Sequence, residues 1–130
     1  MKKYFKKMED SNNIKMIKSK YYDNTENKIF VSLKRKSKNI NQFYYKRVKE
    51  LINDKKYKEI YICGIGACVN EAIKISLFIT ELIPDLKVDE IKTSTVNHFD
   101  EYIDINTKKR IGTANDRKSN LISIKIINSN

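Results

Sequence analysis

The passage from Glu59 to Ile83 limits the fold more than any other part of this chain. Glu59-Ile60-Tyr61-Ile62-Cys63 is a short apolar run rich in β-favouring residues, and Gly64-Ile65-Gly66 follows it directly. Next comes a longer apolar stretch, about Cys68 to Ile83, in which Val69, Ala72, Ile73, Ser76, Leu77 and Thr80 recur at helical spacing. The spacing predicts a buried strand, a tight glycine turn and a helix. Ile75, Phe78, Ile79 and Leu82 add a second apolar face to that helix. A helix apolar over more than half its circumference has to be covered twice, once by its own sheet and once by the first helix or a partner subunit.

The flanking segments complete the pattern. Ile29, Phe30, Val31 and Leu33 predict a first strand that ends in Lys34-Arg35-Lys36-Ser37-Lys38. Asn39 with Gln42 three residues later resembles a capping box. Ile40, Phe43, Tyr44, Val48, Leu51 and Ile52 mark a first amphipathic helix, with Lys46, Lys49 and Asp54 on its other face. Pro84-Asp85 ends the second helix, and Leu86 to Phe99 reads as a long strand. Residues 100–118 are polar and read as a long loop, before a closing strand over Leu121 to Ile127. The order β-α-β-α-β-β predicts a two-layer α/β (α+β) sandwich, a four-stranded mixed sheet with two helices on one face. Residues 1–27 lack sustained periodicity and read as a disordered or loosely structured basic tail. The domain is expected over 28–128.

Charge narrows the function. The chain of 130 residues carries a net charge of +11, but unevenly. Residues 1–56 hold 17 Lys/Arg against 6 Asp/Glu, whereas residues 57–130 hold 10 of each, so the whole excess lies in the first part. A polyanionic partner follows from that excess. The basic run 34–38 falls where a strand hands over to a helix, whose N-terminal dipole also favours phosphate. Lys108, Lys109, Arg110, Arg117 and Lys118 form a second basic group on the later loop. Two basic loops joined by a sheet make a phosphate clamp, with specificity expected from RNA shape rather than base edges.

Other chemistries fit poorly. The third glycine of a dinucleotide fingerprint would fall at Val69, and no ribose-binding acid stands in the right strand context, so no cofactor is expected. His98, the single histidine, lies near Asp100 without an evident nucleophile in sequence, and Asp100, Glu101 and Asp104 read as a solvated loop base. Asp85, Asp89 and Glu90 lack the pattern of a calcium loop, and Cys63 and Cys68 are too few for a zinc site. Both thiols read as buried and reduced, which suits an intracellular protein. The apolar stretch around Ile73 to Ile83 is broken by Lys74, Ser76, Thr80 and Glu81, short of the roughly 20 apolar residues that span a bilayer. No membrane is expected as a partner.

The block Glu59-Ile60-Tyr61-Ile62-Cys63-Gly64-Ile65-Gly66-Ala67-Cys68-Val69-Asn70-Glu71-Ala72, running on to Leu77, resembles the strand–turn–helix signature of the Alba superfamily. It is most similar to the Alba-type small protein subunit of eukaryotic ribonuclease P and ribonuclease MRP. Thr93-Ser94-Thr95-Val96 and the approach Asn115-Asp116-Arg117-Lys118-Ser119-Asn120 to the last strand resemble the same subunit, so the likeness covers about residues 28–128. It implies a non-catalytic RNA-binding subunit, one half of a heterodimer with a second Alba-type chain. The RNA component supplies the chemistry in enzymes that mature transfer-RNA 5′ ends and process ribosomal RNA, in the nucleus and nucleolus. A free-standing Alba-like protein of chromatin or messenger RNA, dimeric with itself, is the alternative. The resemblance carries nucleic-acid contact onto Lys34, Arg35, Lys36 and Lys38 and onto Lys108, Lys109, Arg110, Arg117 and Lys118. The chain departs from the pattern at Ala67 and Glu71, where many relatives are basic. Its hairpin also holds Asp100, Glu101, Asp104 and Asp116, which leaves contact with protein open for that arm.

Overall fold

Alternation decides which residues of the closing strands turn inward. In a computed structural model, which describes residues 13–18, 23–33 and 40–129, Ile122, Ile124 and Ile126 are buried while Leu121, Ser123 and Lys125 are half-exposed. The elements run β1 (Ile14–Ile17), β2 (Lys28–Phe30), α1 (Ile40–Lys49), a π-helical turn (Glu50–Asp54), β3 (Glu59–Ile65), a 3-10 turn (Gly66–Cys68), α2 (Val69–Leu82), β4 (Leu86–Asp104) and β5 (Arg110–Asn128). Two compact units divide the chain.

The larger unit comprises Asp23–Thr95 and Asn120–Asn130. Its strand order is β4-β5-β3-β2. β2 lies parallel to β3, Ile29 opposite Ile62, so α1 is the crossover of a β-α-β unit. β5 lies antiparallel to β3 on the other side, from Glu59 opposite Ile127 to Ile65 opposite Leu121. Ile60 and Ile62 of β3 and the three isoleucines of β5 share one core with Tyr44, Val48 and Leu51 below α1 and with Ala72, Ile75 and Ile79 of α2. Both helices thus cover one face of the sheet. Tyr44 keeps its hydroxyl satisfied inside that core by accepting the Ser32 N–H at 2.9 Å.

Three local differences have physical causes. β3 runs on through Gly64 and Ile65, so the turn begins only at Gly66, whose φ of +59 suits glycine. Gly64 serves instead for close approach, because a Cβ there would stand 2.4 Å from the Cys68 carbonyl oxygen. The buried line of α2, Ala72, Ile75, Ser76 and Ile79, draws on both predicted faces, whereas Ile73 and Leu77 of the first face are exposed. Ser76 is tolerated there because its hydroxyl donates to the Ala72 carbonyl at 2.8 Å. The predicted cap Asn39 lies outside the described residues.

Short polar links finish this unit. Asp23 accepts the Thr25 hydroxyl at 2.7 Å and the Thr25 N–H at 2.9 Å, and it meets Lys28 Nζ at 3.1 Å. Those bonds, the Thr25 hydroxyl first, hold its carboxyl down at about 2. Cys63 is buried and Cys68 only half-buried, both free, and burial pushes the Cys63 thiol up.

The smaller unit comprises Met1–Tyr22 and Val96–Ser119. β1 pairs antiparallel with β4, Ile14 opposite Asp104, which adds a fifth strand to the predicted four. The predicted loop over 100–118 is corrected to a hairpin. β4 continues to Asp104, β5 starts at Arg110, and Asn106 N–H closes onto Asp104 Oδ1 at 2.8 Å in the turn between. Val96, His98, Asp100 and Tyr102 are buried in strict alternation, so the strand pattern exists but its inward residues include polar ones. Cross-strand partners satisfy them, Ser119 for His98 at 2.9 Å and Arg117 for Asp100.

Candidate nucleic-acid interface

The hairpin of the smaller unit places the second basic group. Lys108 and Lys109 sit exposed in its turn, Lys108 with a φ of +57 and its N–H donating to the Asp104 carbonyl at 2.7 Å. Arg110 opens β5, with Nη1 3.7 Å from Glu101 on an open surface, where such a pair contributes little. These three cations therefore stand together. Arg117 and Lys118 do not join them, since Arg117 lies seven positions along the strand from Arg110, about 23 Å away.

Arg117 has another task. Its Nε donates to Asp100 Oδ2 at 2.9 Å and its Nη2 to Asp100 Oδ1 at 3.0 Å, a forked geometry that fits a planar guanidinium to a carboxylate. Asp100 retains 3% of its side-chain exposure and Arg117 34%. The hydrogen bonds to Asp100 push the guanidinium still further up. Of the predicted hairpin cations, Lys108, Lys109 and Lys118 keep exposed side chains without an ion pair among the described residues. Lys34, Arg35, Lys36 and Lys38 lie outside the described residues.

In the larger unit a groove of about 610 Å³ opens beside the turn into α2. Gly66, Ala67 and Asn70 form one wall; Thr93, Ser94, Thr95 and Asn120 form the other. Its lining is neutral and rich in hydroxyl and amide groups, which follows from alanine at 67. Lys125, on the same unit, bridges Glu59 at 3.2 Å and Asp89 at 3.5 Å and is held protonated by them, first of all by its hydrogen bond to Glu59. It stitches three strands together.

Sequence reasoning missed two features. Ser119 faces His98 only because residues 21 apart meet across a hairpin, a pairing without a local signal. The bond belongs to the same polar ladder as Asp100–Arg117. The second is the basic density between Lys46 and Lys58, of which only Lys46 and Lys49 stood out, as a helix face. Its local signal was present: six basic residues among thirteen. Among the described residues no group of three or more His, Cys, Asp and Glu side chains is placed to hold a metal ion, and no helix is long and apolar enough to cross a membrane.

A family model described as the Rpp20 subunit of nuclear RNase MRP and P matches residues 2–125. The chain belongs to that family. Among solved structures, ALBA1 from Trypanosoma brucei superposes with a TM-score of 0.56 at 18% identity, covering 82% of this chain and 72% of that one. Alba from Thermoplasma volcanium gives a TM-score of 0.53 at 22% identity, covering 78% of this chain and 99% of that one. These likenesses establish the Alba fold for this member of the Rpp20 family, in agreement with the sequence resemblance. A comparison with curated proteins gives no match.

Proposed function

We propose that this Rpp20-family chain is a non-catalytic, RNA-binding subunit of ribonuclease P/MRP, working as half of a heterodimer with a second Alba-type subunit. The observation that carries this reading is the family match across residues 2–125. In this role the chain binds the structured RNA of the enzyme, which performs the cleavage, and serves transfer-RNA 5′ maturation and ribosomal-RNA processing in the nucleus and nucleolus. Functionally a binding domain covers 28–128, and the basic segment 1–27 before it contributes β1, paired with β4.

Two features support the reading. On α2 the side chains of Ile73 and Leu77 remain 38% and 58% exposed, one helical turn apart, an uncovered stripe suited to a second chain. The exposed Lys108 and Lys109 with Arg110 beside them, and Lys118 further along β5, offer phosphate contacts on the hairpin. Lys34, Arg35, Lys36 and Lys38 provide the other set. Arg117 contributes by shaping the hairpin rather than by direct contact.

The first loop is tested by charge reversal. Lys34→Glu with Arg35→Glu is expected to weaken binding of a structured RNA severalfold and to reduce the slope of log affinity against log salt by about 2. Titrations at several salt concentrations read both. An unchanged affinity and slope would remove this loop from the RNA site.

A further inference from the structure

We infer that the far end of α1 carries a second RNA-backbone contact, formed by Lys46, Lys49, Lys55, Lys56 and Lys58. This deepens the RNA-binding reading and rests on it. Residues 46–58 hold six basic and two acidic residues, a surplus of four positive charges within thirteen positions. The C-terminal dipole of α1 accounts for about half a charge of that surplus. Arg47 is engaged by Glu50 at 3.1 Å. Lys46, Lys49, Lys55 and Lys56 are exposed and make no ion pair among the described residues; Lys49 lies over the Tyr45 ring at 5.6 Å. Most of the surplus is therefore open to a ligand.

The surface has the shape of a track rather than of a cage. Three shallow depressions, of about 470, 220 and 130 Å³, all share Asn53. Lys46 and Lys49 line the first together with Glu50 and Asp54, Lys56 and Lys58 line the second, and Asn128 joins the second to the third, which Asp85 also lines. Amide donors between spaced ammonium groups suit successive phosphates of a backbone. Lys56 occupies the left-handed region, φ +61, where the chain turns out of the π-helical segment and where glycine would sit without strain. The position keeps a charge at a conformational cost.

An acidic protein is the other polyanion to weigh. Protein interfaces are depleted in lysine and centred on apolar or aromatic anchors. Among the described residues Phe43, one turn before Lys46 at the margin of this surface, is the one exposed large hydrophobic side chain between 40 and 58. RNA backbone fits better. The ten residues of α1 span about 15 Å along its axis, with this surface at its far end.

The test uses the full chain and a short RNA hairpin, titrated across salt concentrations. Lys49→Gln with Lys55→Gln and Lys56→Gln is expected to lower the salt slope by about 2–3, with an unchanged circular dichroism spectrum. Lys56→Gly alone should raise the melting temperature while taking about 0.7–0.9 from the slope, a combination that a structural role would not produce. If the triple variant keeps the wild-type slope while Lys34→Glu with Arg35→Glu loses affinity, this surface is wrong and the RNA reading stands. If the triple variant keeps its RNA slope but loses co-purifying protein, the surface serves a protein and the inference falls. A wild-type chain that binds no RNA, with or without its co-purifying partner, would overturn this contact together with the reading it rests on.

Discussion

Replacing Gly64 by alanine is expected to cost about 3 kcal/mol or more, a large share of the roughly 5–15 kcal/mol that holds an ordinary domain folded. The added Cβ would lie 2.4 Å from the Cys68 carbonyl oxygen, 2.8 Å from its carbon and 3.0 Å from Ala72 Cβ. None of these neighbours is the end of a flexible side chain. Gly64 is also paired across the sheet with Ile122, so β3 cannot retreat without breaking its ladder with β5. Relief would have to come from moving α2 off the sheet, which exposes Ile75 and Ile79. Urea unfolding measures the loss. Gly66→Ala is the comparison, since space is open there and only the positive φ opposes a side chain, at about 1–2 kcal/mol. Equal costs at the two glycines would contradict the packing argument.

Arg117→Ala is expected to destabilise the chain clearly, though by less than the loss for a fully buried pair because the arginine is partly exposed. The substitution leaves the Asp100 carboxylate, with 3% exposure, without its forked partner. Adding Asp100→Asn should recover part of the loss, because the charge that needed compensation is then gone. The same experiment separates structure from binding. If Arg117 shapes the hairpin, the folded fraction of the variant retains the wild-type salt slope for RNA. A variant as stable as wild type, with a slope reduced by about 1, would instead make Arg117 a phosphate contact.

How much of this was legible depends on how local the cause is. The β3–turn–α2 block announced itself because an apolar run, two glycines and a helical apolar period are adjacent in sequence. Even there, the roles of Gly64 and Gly66 differ for a reason visible only in three dimensions, the approach of Cys68. The hairpin was hidden because the residues that β4 buries beyond Val96 include His98 and Asp100. Their polarity reads as loop until Ser119 and Arg117 arrive from the opposite strand. β1 was hidden for a related reason, since Ile14 to Ile17 carry little strand signal of their own and are ordered by pairing with β4. The functional charge was only partly legible. The sequence marks where lysines cluster, but not that Arg117 is held by Asp100 or that Lys46, Lys49, Lys56 and Lys58 gather around Asn53.

Affinity purification of the full tagged chain, with sequencing of bound RNA and mass spectrometry of bound protein, tests the central claim most directly. The account predicts one strongly enriched structured RNA, that of ribonuclease P or MRP, together with a second Alba-type protein. Recovery of bulk DNA or of diverse messenger RNAs, without an enriched structured RNA, would contradict it and favour a free-standing Alba-like protein.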